Sequence, residues 1–260
     1  MDQPSVAGDA FGRGHGFLRT AHAIRALSQA ETPLRVEELG AALAYWAAYY
    51  RKLPGTPRLT GTFDLGDALR RVPLFLRGQA RSGPPRDVYL GVMQSHGEEF
   101  SKAVNGAAES GSIDAALSSL TEAGARLYLA NSSHQPLVLL HTVTIPAALR
   151  LLLPHLPAGL TQTALAYVWQ NVAAMAAAYA DERSPEHDDW PSPQDESVII
   201  ERSIATDHPH AFKFLEACLR EYRLNPQPVY LSAAEDWAAR LHHARDWSIA
   251  ERNRAGLEFR

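Results

Sequence analysis

The chain has 260 residues, 46% of them hydrophobic and 21% charged, with 25 Lys and Arg set against 29 Asp and Glu. Such a composition can bury a core and excludes a disordered chain, and the basic residues are scattered rather than blocked, so nucleic acid is not an expected partner. The lone cysteine, Cys218, excludes an internal disulfide and any CxxC site, which fits a reducing compartment.

Met1 to Gly14 is polar and glycine-rich, unlike a secretory leader. No later apolar run reads as long and uninterrupted enough to cross a bilayer, so a cytoplasmic protein without a membrane partner is expected. Length and patterning together suggest one helical domain over residues 1–260, with residues 1–14 as a flexible tail.

Helical periods separated by Pro and Gly stops run through the chain, with hardly any apolar/polar alternation, so an all-α fold is expected. His15 to Leu27 reads as a first helix. Val36 to Lys52 reads as a second, with Leu39, Leu43, Trp46 and Tyr50 on one stripe. Asp64 to Arg71 suits a short helix, Arg81 to Arg86 a loop, and Val88 to Ala107 a helix interrupted by three glycines. Ile113 to Ala130 is a clearer helix. Pro136 to Leu153 is apolar almost throughout; its β-branched residues admit a strand, but the run of Ala and Leu after Pro146 favours a central helix, kinked or started by that proline. Thr161 to Tyr179 is an alanine-rich helix, and Asp181 to Ser192 an exposed loop. Ser197 to Ala205 is helical, and Asp207 is the expected cap of a helix reaching Arg223. After Asn225-Pro226-Gln227-Pro228, a last helix is expected from Ser232 or Ala233 to Ala244, followed by a tail frayed or docked by Trp247.

Dinucleotide, Walker, GxSxG and HExxH motifs are all missing, so any chemistry should come from the eleven histidines. His15 and His22 lie seven residues apart on one helix face, separated by about 10 Å along the axis, so at most one of them is expected to bind a given metal ion and the other to face substrate or line the core. His141 is embedded in Leu137-Val138-Leu139-Leu140-His141-Thr142-Val143-Thr144, where a buried imidazole needs partners. A metal on one side and a hydrogen bond on the other would supply them, and Thr144 or a backbone carbonyl would serve equally well without a metal. His210 and Lys213 lie one turn apart beside Phe212, Phe214, Leu215 and Cys218. Lys213 either snorkels outward or pairs with Glu216 or Asp207, or is desolvated into a neutral amine able to act as a base or to take up carbon dioxide as a carbamate. His208 reads as a capping-region residue and His96 as a weaker pocket candidate; His134, His155, His187, His242 and His243 carry no assigned chemistry.

Three segments carry a resemblance. Gly14-His15-Gly16-Phe17-Leu18-Arg19-Thr20-Ala21-His22-Ala23, Leu140-His141-Thr142-Val143-Thr144, and Asp207 to Tyr222 with His210-Ala211-Phe212-Lys213 resemble the histidine helix, central histidine segment and C-terminal signature of the questin oxidase-like family. The resemblance implies an oxygenase acting on an aromatic polyketide or anthraquinone-like substrate, by Baeyer–Villiger-type or C–C ring cleavage. It implies Fe(II) held by His15, His141 and His210 with a carboxylated Lys213, His22 as the catalytic candidate and a lesser ligand, and dioxygen as co-substrate. NADPH is a candidate reductant for which the chain has no binding motif. The family usually carries a further N-terminal helical segment with its own histidine, whereas fourteen residues precede His15 here, so a shortened or altered metal site is expected. Two other readings stand beside this one: a non-catalytic helical binding protein with structural histidines, and a zinc-dependent hydrolase using an activated water. Tyr45, Trp46, Tyr49, Trp169 and Phe212 are the aromatics available to stack on a substrate, and the sequence does not choose among them.

Overall fold

Side-chain caps start four of the described helices in the computed structural model, which describes residues 14–50, 52–79, 85–186, 190–244 and Arg252. The first helix, α1 (His15–Gln29), starts at Gly14, whose φ of 80° lies in the left-handed region. A side chain on Gly14 would collide with Ile145, so glycine serves here both the backbone conformation and the close approach. Helix α2 (Pro33–Tyr49) begins three residues before the expected Val36, because Thr32 caps it by accepting the Arg35 N–H and Pro33 occupies the first turn. It ends at Tyr49 and not at Lys52, since Tyr50 turns extended with ψ 128°.

Asp64 caps α3 (Leu65–Arg71) by accepting from the N–H groups of Gly66 and Asp67. The single helix expected over 88–107 is two, α4 (Pro85–Ser95) and α5 (Gly97–Val104), broken at His96 with φ −123° and ψ 20°. Pro85 and Arg86, expected in a loop, open α4 instead, a first-turn position that suits proline. Residues 81–84 of that loop, the tail before Gly14 and the docking of Trp247 lie outside the described residues.

Ser112 caps α6 (Ile113–Ala130). The apolar 136–153 run is helical, as α7 (Pro136–Leu139) and α8 (His141–Leu152), and no strand forms there. Pro146, inside α8, has no N–H for the Thr142 carbonyl one turn earlier. That carbonyl lies against α6 at Gly124, where a Cβ would come within 2.7 Å of it, and the Thr142 hydroxyl donates to the Gly124 carbonyl at 3.1 Å. In α9 (Thr161–Tyr179) every residue from Ala164 onward except Tyr167 is buried.

Helix α10 (Glu196–Ala205) precedes a turn in which Asp207, the expected cap, takes a left-handed φ of 49°. His208 caps α11 (Pro209–Leu224) in its place. Helix α12 (Val229–His243) starts before the expected Ser232, burying Val229, Tyr230 and Leu231 in its first turn.

Among the described residues the fold is all-α, with only isolated backbone bridges, Thr60 to Ala108 and Phe63 to Ala107. Helix α8 is the hub: it packs against α1, α6, α9 and α11, while α11 and α12 pair and α2 packs chiefly on α1. The expectation about apolar length needs correction, because Pro136–His155 is long and apolar enough to cross a membrane; 83% of its apolar window is buried inside the protein, as in a core helix.

Candidate metal centre

The hub position of α8 brings three distant histidines together. His15 opens α1, His141 opens α8, and His210 lies in the first turn of α11. One ligand nitrogen from each falls within 4.8 Å of the other two, and no other such group of His, Cys, Asp or Glu occurs among the described residues. Ring centroids are 5.1 Å apart for His15 and His141, 5.6 Å for His141 and His210, and 5.8 Å for His15 and His210.

Local sequence explains the convergence. Gly14 lets the start of α1 touch Ile145, one turn beyond His141 on α8. A Cβ on Gly16 would lie 2.8 Å from the backbone of Trp46, so this second glycine lets α2 close on the same turn. The Gly-His-Gly sequence thus seats His15 between two helices.

The hydrogen bonds define the donor atoms. His141 Nδ1 lies 2.9 Å from the Leu137 carbonyl, which can only accept, so Nδ1 carries a proton and, in a neutral ring, Nε2 would be the lone-pair atom. That Nε2 is 3.1 Å from Nε2 of His15. Two nitrogens each about 2.1 Å from one ion are separated by about 3.0–3.4 Å at right-angled to tetrahedral geometry, so the pair fits two ligands of a single ion. The Leu137 carbonyl behind His141 is the kind of outer partner that orients a metal-binding imidazole. His141 is 1% exposed, whereas His15 and His210 are only partly buried.

His15 also borders a cleft of about 500 Å³, whose wall includes Leu18, Arg19, His22, Ala23 and Ala26 of α1, Glu38 and Tyr45 of α2, and Lys213 of α11. His22 therefore does not join the histidine triad but faces the same cleft. Burial foremost, and then the charge of Arg25, pushes its pKa below the ordinary imidazole value, with Glu216 opposing and Arg220 and Lys213 adding smaller effects. Burial likewise lowers the Lys213 pKa. Glu216 is not its partner: Arg25 and Arg220 hold that carboxylate at 2.5 and 3.1 Å, and no carboxylate among the described residues ion-pairs with Lys213.

Other candidates fall elsewhere. His96 stacks on Phe75 at 4.2 Å. Trp169 is fully buried and donates to the Val104 carbonyl at 2.9 Å, and Phe212 is 41% exposed on another face. Tyr45 alone of the five aromatics borders the cleft. His208, read from the sequence as a capping-region residue, caps α11 by accepting the His210 N–H at 3.2 Å and sets its ring 5.4 Å from that of His210. Sequence reasoning missed the Arg19–Glu38 pair at the cleft.

No family model, curated protein or solved structure matches the chain.

Proposed function

We propose that the protein is a non-haem metal oxygenase of the questin oxidase type, acting on a small aromatic substrate in the α1/α2/α11 cleft. The observation that carries this reading is the convergence of His15, His141 and His210, of which His15 borders that cleft. The set fits a divalent ion: nitrogen donors suit iron or zinc, and His15 and His141 have the separation of two ligands on one ion.

Fe(II), when bound, supplies the dioxygen chemistry that side chains cannot. His15, His141 and His210 would hold the ion, with the Leu137 carbonyl orienting the His141 ring. A carboxylated Lys213 would add an oxygen donor. Supporting this are its place in the cleft wall, the burial that favours its neutral, reactive amine, and its lack of a carboxylate partner among the described residues. His22, held neutral by burial, is suited to accept a proton from substrate. Leu18, Ala23, Ala26 and Tyr45 offer an apolar wall to an aromatic ring.

A zinc-dependent hydrolase is the second reading, favoured by one feature, a clustered donor set made only of histidine. Oxygen uptake by protein loaded anaerobically with Fe(II) and supplied with hydroxylated anthraquinones tests the proposal. Substrate-dependent uptake, lost in His141→Ala, is the expected result; ester hydrolysis by zinc-loaded protein without oxygen uptake would replace the oxygenase by the hydrolase.

A further inference from the structure

The cleft already displays a bound carboxylate. Arg19 grips Glu38 of α2 through two parallel bonds, Nε to Oε1 at 2.6 Å and Nη2 to Oε2 at 2.8 Å. This fork geometry is how a guanidinium recognises a planar anion. Arg19 follows His15 by one turn of α1 and precedes His22 by three residues, so it stands on the helix flank that forms the cleft wall. Both partners remain about half exposed, at 42% and 47%, and such ion pairs contribute little and exchange readily.

Arg25 and Arg220 share Glu216, and Arg220 also reaches Glu221 at 3.6 Å, so those guanidinium charges are met by carboxylates. Lys213, in the cleft wall, ion-pairs with no carboxylate among the described residues, and when protonated and unmodified it adds a positive charge that favours an entering anion. Beyond Arg19 the wall continues as Ala23 and Ala26, two small residues, with Tyr45 also contributing. Small side chains beside an aromatic ring suit a flat apolar body.

Resting on the reading of this cleft as the substrate site, we infer that Arg19 selects an anionic group, a carboxylate or phenolate, on a planar aromatic substrate. Glu38 holds the guanidinium until that group displaces it. Arg19 is then a specificity-determining residue, and the preferred substrates are those ionised at neutral pH.

Calorimetric titration of chelator-treated protein with naphthalene-2-carboxylate and naphthalene-2-carboxamide tests this without relying on catalysis. The carboxylate should bind about tenfold more tightly, a difference of about 1.4 kcal/mol. Arg19→Gln, checked for folding by circular dichroism, should erase the preference, and Glu38→Gln should tighten carboxylate binding while leaving the carboxamide unchanged. Equal affinities, binding of neither probe at millimolar concentration, or a preference that survives Arg19→Gln would overturn the inference. His141→Ala separates it from the metal reading: this variant should retain the preference, and loss of the preference in that folded variant would count against Arg19 as the selecting group.

Discussion

Helix α11 carries two polar clusters eleven residues apart, one partly buried at His210 and one buried at Glu221, and they are built in opposite ways. Glu221 is wholly buried, accepts from Arg150 Nε at 3.2 and 3.0 Å, and receives the Thr121 hydroxyl at 3.2 Å. Thr121 and the Tyr230 hydroxyl are 2.8 Å apart, and Arg150 reaches on to Asp114 and Ser118. Burial pushes the Tyr230 phenol well above its usual pKa, so it stays a neutral hydrogen-bonding group. Charges there are matched and the network is closed by α6, α8, α11 and α12. The histidine cluster instead directs nitrogens from α1, α8 and α11 toward one another, includes no carboxylate, and borders a cleft. A closed network spends its polarity on holding helices together. A convergent set of donors bordering a cleft through His15 stands where a ligand could reach it.

Breaking the closed network should have the largest effect on folding. Glu221→Ala leaves the Arg150 guanidinium without its buried partner and should cost about 3–5 kcal/mol, measured by urea denaturation; a loss below about 1 kcal/mol would show that solvent reaches this site. Breaking the open cluster should act on ligand binding instead. His141→Ala should weaken divalent metal binding more than the about 10–100-fold expected when only an outer partner is lost, while costing less fold stability than Glu221→Ala. Equal unfolding by both variants would erase the contrast.

Gly14→Ala sharpens the comparison by shifting a helix without replacing a ligand. It forces a side chain into the left-handed region and against Ile145, for about 1–3 kcal/mol of crowding. Metal affinity should fall with it, because His15 is the next residue; a loss of stability with metal binding intact would show that the triad tolerates displacement of α1.

The smallest effect should be on pH dependence. The fold depresses the His22 pKa, so the unfolded chain takes up that proton more readily. The contribution of His22 to stability is therefore present above the unfolded value of about 6.5 and is lost as pH falls through that value towards the lower folded pKa. In His22→Leu, stability measured from pH 5 to 8 should vary less steeply than in the wild type; an unchanged slope would mean that His22 titrates normally.

Much of the fold was legible because helix signals are local. Periodicity and Pro/Gly stops marked α1, α6, α9 and α11 closely, and the apolar 136–153 run correctly announced a central helix. Errors fell where one residue decides a boundary: Thr32 and Pro33 start α2 early, His96 splits α4 from α5, and His208 replaces Asp207 as a cap. The metal-site candidates were legible as residue types in apolar surroundings, and the structure brings His15, His141 and His210 together while leaving His22 and Lys213 on the adjoining cleft. What no local pattern could show was the pairing across helices, such as Arg19 with Glu38 or Arg25 and Arg220 with Glu216. Those pairings depend on α2 packing on α1 and on side chains that reach between α1 and α11, and they leave Lys213 without a carboxylate partner among the described residues.

Elemental analysis of protein purified without chelator, alongside folded His141→Ala and Lys213→Ala variants, tests the central claim most directly. Near-stoichiometric iron in the wild type, lost in His141→Ala and reduced in Lys213→Ala, is the expected result. Well-folded wild-type protein that holds no metal even after anaerobic loading with Fe(II) would contradict it and leave the three histidines as structural groups of a binding protein.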